Sequence, residues 1–141
     1  MSSKNDATGR DSITFRRLLP HTKSTDVDLA EVYAYPSGYE RPWVRANMIS
    51  SADGGAVGAT GRTRELSSDV DRRVMGTLRG LCDVVLVGAA TARMEGYRPL
   101  RPRASWRELR EGRTGAPQIA VVSRSLELPK SLLTEEHEAP R

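Results

Sequence analysis

Apolar side chains recur at helical spacing in the middle of the chain. Four aliphatic residues follow one another at intervals of four, four and three positions: Val70, Val74, Leu78 and Leu81. This spacing places one apolar stripe along an α-helix. Ser67 or Ser68 can cap its first turn, and Ser68 with Asp71 has the spacing of a Ser-x-x-acid capping box. The pattern predicts a helix over residues 69–82 that packs one face on a flat partner.

Three runs of the chain have the composition of β-strands: residues 43–50, 83–88 and 118–123. In the first run, Val44, Ala46 and Met48 share one face. The other two are apolar runs rich in β-branched residues, which is typical of strands that are covered on both faces. The first two strands and the helix between them predict a right-handed βαβ crossover.

Shorter elements are expected on either side of this unit. Three residues with helical spacing predict a short helix that Pro36 terminates: Leu29, Val32 and Tyr33. Another short helix is expected to begin near Thr91. Residues 1–12 are polar and are predicted to be a disordered leader, and residues 98–117 form a basic stretch without a strong period. Residues 124–141 are not expected to complete a further element.

Turns that contain glycine follow the first two predicted strands, "SADG" at 51–54 and "GAAT" at 88–91. In open α/β sheets, ligands bind outside the carboxyl ends of the strands, where backbone N–H groups and helix N-termini face anions. The alternative is that Gly54, Gly55 and Gly88 only satisfy turn geometry. Spacing alone favours the turn interpretation and leaves the ligand site as the second possibility.

The net charge of +4 and the pI of about 9.6 come mostly from arginine. Planar guanidinium groups suit a phosphorylated ligand or a nucleic acid. A GC-rich genome gives the same bias without any function, so composition alone does not choose between these explanations. On the predicted helix, Arg72 and Arg73 are expected to form a solvated face with Asp69 and Asp71.

Several chemistries have no support in the sequence. The chain has one cysteine, Cys82, so a disulfide framework and a cysteine-rich metal site are excluded, and the thiol is expected to be buried. His21 and His137 form no helical His-Glu pair, so no metal is expected. Phosphate-loop, dinucleotide and nucleophile-elbow motifs are missing from the sequence. No run approaches the roughly 18 apolar residues of a membrane span, and the protein is expected to be cytoplasmic.

A set of motifs follows in one order after the first predicted strand. Residues 51–97 read "SADGGAVGATGRTRELSSDVDRRVMGTLRGLCDVVLVGAATARMEGY". This string resembles the reductase domain of riboflavin biosynthesis, a relative of dihydrofolate reductase. That family reads Ser-Leu-Asp-Gly, then a helix ending in Leu-Arg, then a strand and Gly-x-x-Thr. "YAYP" at 33–36 is similar to a segment of the stand-alone actinobacterial branch. The resemblance covers roughly residues 30–129.

The resemblance implies an α/β, dihydrofolate reductase-like fold with a mainly parallel sheet flanked by helices, incomplete at the C-terminus. It implies a largely disordered leader at 1–27, the N-terminal part of a reductase domain at 28–129, and a tail at 130–141 where the remainder of the domain would begin. NADPH is the implied cofactor, and a phosphorylated pyrimidine is the implied substrate. A homodimer is implied for the complete family, with no nucleic acid and no membrane as partner.

The resemblance also implies roles for single residues. Those implied for NADPH are Ile49, Gly88, Thr91, Glu95 and Ser123. Those implied for the substrate are Asn47, Asp53, Thr63, Arg79, Leu100 and Arg103. Asp53 is expected to orient its loop through backbone N–H groups rather than to transfer a proton. No catalytic residue is identified.

The expected activity is the NADPH-dependent reduction of a ribosylaminopyrimidine phosphate, with little or no turnover by this chain alone. Asn47 stands where many relatives have lysine, and Glu65 stands where tryptophan is frequent. One alternative is therefore a reductase of another pterin or pyrimidine. A second is a truncated or split fragment that acts through assembly with a partner. A basic nucleic-acid binder is the weakest alternative, because the chain has no aromatic platform or helix-turn-helix pattern.

Overall fold

The structure is a computed structural model that describes residues 13–20, 26–38, 40–113 and 115–133. The chain divides into two compact units, Met1–Ala34 and Tyr35–Arg141. The predicted disorder of residues 1–12 lies outside the described residues, as does most of the predicted tail, from 134 to 141.

The first unit contains the short helix that the sequence predicts. Helix α1 spans Leu29–Val32, and the Asp28 carboxylate caps it by accepting a hydrogen bond from the Ala30 N–H at 2.7 Å. Just before the helix, the Val27 N–H donates to the Phe15 carbonyl at 2.9 Å. A side-chain cap on the first turn satisfies an N–H group that has no partner inside the helix.

The second unit contains the other regular elements of the described residues. In chain order they are a 3₁₀ turn at Thr63–Glu65, α2 at Asp69–Leu81, β1 at Val84–Gly88, α3 at Ala89–Met94, a 3₁₀ turn at Ala104–Trp106, β2 at Gln118–Val122 and α4 at Lys130–Leu133. The short helix α4 lies in the segment that was expected to complete no element, so that expectation is wrong.

Helix α2 begins where the capping pattern predicts. The Ser68 hydroxyl accepts a hydrogen bond from the Asp71 N–H at 3.2 Å, and the Ser67 hydroxyl donates to the Asp71 carboxylate at 2.6 Å. Arg72 forms an ion pair with Asp69 at 2.7 Å on the exposed side of the same turn. Two acidic residues in the first turn also suit the positive end of the helix dipole.

We expect Ser68→Ala to lower the free energy of unfolding by about 1 kcal/mol, because the Asp71 N–H loses its side-chain acceptor. Urea denaturation followed by far-UV circular dichroism measures the change. The matched control is Ser50→Ala at an exposed position outside regular structure, where a change within about 0.5 kcal/mol is expected. Equal losses in both variants would contradict the capping role.

Strands β1 and β2 form a parallel pair, and both predicted strands are confirmed. The register pairs Val84 with Gln118 and Gly88 with Val122. Helix α3 packs against both strands. On one face of the sheet Val87 is buried, whereas Leu86 on the other face is 65% exposed. The sheet is therefore covered on one side within the described residues.

The predicted strand at 43–50 is wrong. The segment forms no strand, and Val44 and Met48 are 81% and 88% exposed. A strand needs a neighbour that accepts its ladder hydrogen bonds and an apolar surface under one face, and alternation in the sequence supplies neither. The predicted βαβ crossover through this segment is therefore also wrong. The observed parallel pair joins the other two predicted strands instead.

The basic stretch at 98–117 supplies the packing partner of α2. Trp106 is 3% exposed, and its indole N–H donates to the Gly76 carbonyl at 2.9 Å. A Cβ atom built on Gly80 would lie 2.7 Å from Leu109 and 2.8 Å from Trp106, so ring and helix are in close contact. The surface that packs on α2 is thus an indole ring from a stretch that shows no helical or strand period. It lies on Gly76 and Gly80 and not on the predicted apolar stripe, whose first residue, Val70, is 47% exposed.

Two arginines of the same stretch hold the C-terminal end of α2. Arg110 is 7% exposed, and its guanidinium donates to the carbonyls of Gly80 and Cys82 at 3.3 and 2.6 Å. Arg113 donates to the Leu81 carbonyl at 2.6 Å. The last carbonyls of a helix have no partner inside it and carry partial negative charge, so two cations stabilise them. These arginines have a structural role.

Candidate functional site

The carboxyl ends of β1 and β2 lie side by side. Because Gly88 is paired with Val122, Ser123 follows β2 next to the turn where β1 ends. Gly88 caps α3, which begins at Ala89, two residues before the position expected from Thr91. The Ser123 hydroxyl accepts a hydrogen bond from the Leu126 N–H at 2.9 Å. Three residues implied for the cofactor therefore meet at one edge of the sheet.

Hydrogen bonds connect this edge to the loop that precedes α2. The Thr63 N–H donates to the Glu95 carboxylate at 2.7 Å, across 32 positions of sequence. The Glu95 N–H donates to the Thr91 carbonyl at 2.9 Å at the end of α3. The structure thus joins Thr63, implied for the substrate, to Glu95 and Thr91, implied for NADPH.

Arg79 lies near the C-terminal end of α2 and is held by Tyr97. Its guanidinium donates to the Tyr97 hydroxyl at 3.1 Å and lies 5.6 Å from the centre of the ring. Tyr97 is itself fixed at its backbone, because its N–H donates to the Ala92 carbonyl at 2.9 Å and its carbonyl accepts from the Ser131 hydroxyl at 2.7 Å. Tyr97 was not predicted as a site residue, and only its place after the Gly-x-x-Thr turn indicates it.

Arg103 is held by a different aromatic ring. Its guanidinium lies 5.1 Å from the centre of the Trp106 ring, at the start of the 3₁₀ turn Ala104–Trp106. Leu100 is half-buried in the irregular segment that leads to this turn. The two arginines implied for the substrate phosphate are therefore each supported by an aromatic side chain, Arg79 by Tyr97 and Arg103 by Trp106.

The loop after the predicted first strand is a tight turn built around Asp53. The Ser51 hydroxyl donates to the Asp53 carboxylate, and the Gly54 N–H donates to the Ser51 carbonyl at 2.9 Å. Gly54 has a φ of 87°, which glycine adopts without strain. The hydrogen bond from Ser51 and then that from the Gly55 N–H lower the pKa of Asp53 below its ordinary value. Asp53 is therefore an ionised, exposed carboxylate that holds its own turn.

Glu65 has a local structural role. Its carboxylate accepts hydrogen bonds from the Thr60 hydroxyl and from the Thr60 N–H, and these lower its pKa below the ordinary value, the hydroxyl contributing most. The side chain also occupies the space where a Cβ on Gly58 would stand. A carboxylate at the position where relatives often have tryptophan thus closes the turn before Thr63.

Asn47 and Ile49 lie in segment 43–50, which forms no helix or strand. Asn47 is exposed and Ile49 is half-buried. Within the described part of the chain, no hydrogen bond joins either residue to the edge formed by Gly88 and Ser123. The structure brings together the residues around α3 and the loop at Thr63. It does not bring Asn47 and Ile49 to that group.

The Cys82 thiol is half-buried, and burial raises its pKa above the ordinary value despite the nearby Arg110. A neutral thiol of this kind is a poor nucleophile. Across the residues that the structure describes, no three metal-ligating side chains come together. None of the described helices combines the length and the apolar character that crossing a membrane requires.

These features define an α/β protein with a candidate ligand site at the carboxyl ends of parallel strands, the usual place for a cofactor in such sheets. The sequence profile of the RibD C-terminal domain matches residues 42–140. The chain belongs to the RibD C-terminal domain family. The resemblance to the pyrimidine reductases of riboflavin biosynthesis is confirmed, and the family is one of oxidoreductases.

A solved structure supports the same family. The crystal structure of a pyrimidine reductase-like protein from Corynebacterium diphtheriae matches 60% of this chain at 31% sequence identity, with a TM-score of 0.51. The match covers 39% of that protein, so the chain spans about two fifths of its length. The predicted dihydrofolate reductase-like α/β fold is confirmed. A comparison with curated protein sequences finds no match.

Proposed function

We propose that the protein carrying this chain reduces a ribosylaminopyrimidine phosphate with NADPH, as in the reduction of 5-amino-6-(5-phosphoribosylamino)uracil in riboflavin biosynthesis. One observation carries the proposal. The hydrogen-bonded series from Thr91 through Glu95 to Thr63 links the cofactor edge of the sheet to the loop implied for the substrate. Two ligands that exchange a hydride must lie against each other. The series of hydrogen bonds supports the proposal because it places the residues implied for NADPH next to a residue implied for the substrate.

The carboxyl edge of the sheet has the donors and the open space that a dinucleotide needs. A Cβ on Gly88 would meet no atom within 4 Å, and Thr91 is exposed. Arg124, also exposed, follows Ser123 directly and offers a guanidinium to a phosphate at this edge. NADPH supplies the hydride when it is bound, and the residues of this chain orient it. The donor set thus fits a phosphorylated dinucleotide.

Arg79, with its guanidinium fixed by Tyr97, suits the substrate side. A planar guanidinium donates two parallel hydrogen bonds to phosphate oxygens, and prior fixation of its direction reduces the entropy lost on binding. The backbone N–H of Thr63 belongs to the same series of hydrogen bonds as the cofactor edge. Asn47 replaces a cation of many relatives, so a different pterin or pyrimidine remains the alternative substrate.

The exposed apolar side chains of the sheet favour a second proposal, which is that this chain assembles with a further polypeptide. Leu86 and Val122 lie on the same face of the sheet and are 65% and 62% exposed. Large exposed apolar side chains in a row are typical of surfaces that another element covers. There are two candidates for the polypeptide that covers this face. One is a partner that carries the remaining part of a RibD C-terminal domain, and the other is a second copy of this chain, so the expected homodimer stays a proposal.

Calorimetric titration of the 141-residue chain with NADPH tests both proposals. We expect weak binding by the chain alone and no NADPH oxidation with the pyrimidine substrate, because one face of the two-stranded sheet is uncovered. Adding a polypeptide with the rest of a RibD C-terminal domain should tighten NADPH binding.

Arg124→Gln should weaken NADPH binding about tenfold by removing a charged hydrogen bond. The matched control, Arg101→Gln, also at an exposed arginine, should change it less than twofold.

Two results would contradict these proposals. Full turnover by the chain alone would show that the catalytic site needs no further polypeptide. Failure of NADPH to bind both the chain alone and the assembled protein would overturn the reductase proposal.

A further inference from the structure

The turn that follows β2 contains a strained backbone conformation. Leu126 has a φ of 60°, in the left-handed region that residues other than glycine, asparagine and aspartate rarely adopt. Leu126 is 79% exposed, so packing of its side chain does not hold it there. A strained conformation of this kind persists only where the surrounding contacts fix it, and such conformations cluster at functional sites. Hydrogen bonds must therefore hold this turn.

The hydrogen bonds that hold the turn come from inside it and from α3. Inside the turn, the Ser123 hydroxyl accepts from the Leu126 N–H at 2.9 Å. From α3, the Arg93 guanidinium donates to the Glu127 carbonyl at 2.5 Å, across 34 positions of sequence. The first bond closes the turn on itself, and the second ties the turn to the helix that begins at the end of β1.

A further hydrogen bond docks the same segment on the residues after α3. The Ser131 hydroxyl donates to the Tyr97 carbonyl at 2.7 Å, also across 34 positions. The segment 123–131 is thus tied at two points, so the bond from Arg93 is not an isolated surface contact. Arg93 lies in the last turn of α3, where a cation can bond the last carbonyls of its own helix. Its guanidinium instead reaches a carbonyl of another segment.

The turn lies at the edge of the sheet where the cofactor is proposed to bind. Because Gly88 pairs with Val122, the turn begins beside the end of β1. Arg124 lies in the turn and is exposed. Within the described part of the chain, no hydrogen bond restrains the Arg124 side chain. The direction of its guanidinium therefore depends on the backbone that carries it.

We propose that Arg93 is a positioning residue for cofactor binding. By tying the Glu127 carbonyl to α3, Arg93 holds the turn in the conformation that directs Arg124 toward a phosphate of NADPH. A donor that is held in place before its ligand arrives loses less entropy on binding, and the strained turn provides this fixation. The assignment to NADPH rests on the proposed function, whereas the fixing of the turn by Arg93 does not.

Amide hydrogen exchange of the full chain without any ligand, followed by NMR, tests the tie between Arg93 and the turn. Arg93→Gln should raise the exchange rate of the Leu126 amide about five- to tenfold, because the turn loses a charged hydrogen bond. Ser131→Ala removes the tie at the far end of the segment and should raise this rate much less. The Cys82 amide, which is bonded to the Leu78 carbonyl, is the internal control and should not change. Equal effects of the two substitutions, or no effect of Arg93→Gln, would overturn the role of Arg93.

Calorimetric titration with NADPH, of the chain alone and of the chain with the polypeptide that completes the domain, tests the role in binding. Arg93→Gln should weaken NADPH binding about fivefold, which is less than the loss in Arg124→Gln because Arg93 acts through Arg124. When Arg124 is already glutamine, Arg93→Gln should cause little further loss, since residues that act through one another are not additive. Arg93→Lys can still donate to the Glu127 carbonyl and should retain most of the binding. Arg101→Gln, which removes an exposed arginine outside this segment, is the control for net charge and should change binding little.

The contrary results separate this inference from the proposed function. Equal weakening by Arg93→Gln with and without Arg124 would mean that Arg93 reaches the ligand directly, and it would overturn the positioning role. Equal weakening by Arg101→Gln and Arg93→Gln would show an effect of net charge and overturn it as well. Unchanged NADPH binding in Arg93→Gln would refute the positioning role and leave the reductase proposal standing. If neither the chain nor the assembled protein binds NADPH, the proposed function and the assignment to the cofactor both fail, and the exchange rate of Leu126 still decides whether Arg93 fixes the turn.

Discussion

Trp106→Ala should lower the free energy of unfolding by about 3–5 kcal/mol, the usual cost of removing a large buried aromatic side chain. The indole is the main contact of α2 outside its own helix, and it bonds the Gly76 carbonyl. Since small domains are stable by only about 5–15 kcal/mol, a loss of this size removes a large share of the stability. Urea denaturation followed by far-UV circular dichroism measures it.

Two further variants separate the causes of this loss. Trp106→Phe keeps an aromatic ring but removes the donor to the Gly76 carbonyl, so a smaller loss of about 1–3 kcal/mol is expected. Trp43→Ala removes the other tryptophan of the chain, which is 44% exposed, and should cost much less than Trp106→Ala. Similar losses for Trp43→Ala and Trp106→Ala would contradict the central position of Trp106.

The elements that the sequence predicts correctly are those whose signal is local. The stripe from Val70 to Leu81 and the cap at Ser68 both lie within α2, and the β-branched runs of β1 and β2 need no other part of the chain to be recognised. The strand predicted at 43–50 has the same local signal. All three runs need a neighbouring strand, which a local signal does not reveal, and in the described residues only β1 and β2 find one, in each other.

The packing of α2 was beyond prediction for a related reason. Residues 98–117 show no period, because they dock through one ring at Trp106 and through two guanidinium groups at Arg110 and Arg113 rather than through a repeating face. The same charges that fitted a phosphate ligand in the composition serve helix carbonyls in the structure. The sequence alone does not distinguish an arginine that binds a phosphate ligand from one that binds helix carbonyls, because the difference depends on which oxygen atom the folded chain places beside each guanidinium.

The location of the candidate site at one edge of the sheet could be predicted from the sequence, but the hydrogen bonds within it could not. The rule that ligands bind at the carboxyl ends of strands places Gly88 and Ser123 together once both strands are recognised. The bond from Thr63 to Glu95 spans 32 positions and depends on how two loops fold, so no spacing rule gives it. Arg73, which was expected on a solvated face of α2, is exposed in the structure.

The two glycines of α2 should respond to alanine with opposite signs. A Cβ on Gly80 would lie 2.7 Å from Leu109 and 2.8 Å from Trp106, so the buried indole ring would have to shift. Overpacking of this kind costs about 1–3 kcal/mol. A Cβ on Gly76 would meet no atom within 4 Å, so Gly76→Ala should stabilise the helix by about 0.5–1 kcal/mol through its higher helix propensity.

The pair is its own control, because both changes add one methyl group to the same helix, one turn apart. The midpoint of urea denaturation should fall for Gly80→Ala and rise for Gly76→Ala. The near-UV circular dichroism of the tryptophans should change for Gly80→Ala alone, since only that methyl group displaces Trp106. Stabilisation by both substitutions would mean that Trp106 does not lie on α2 in solution.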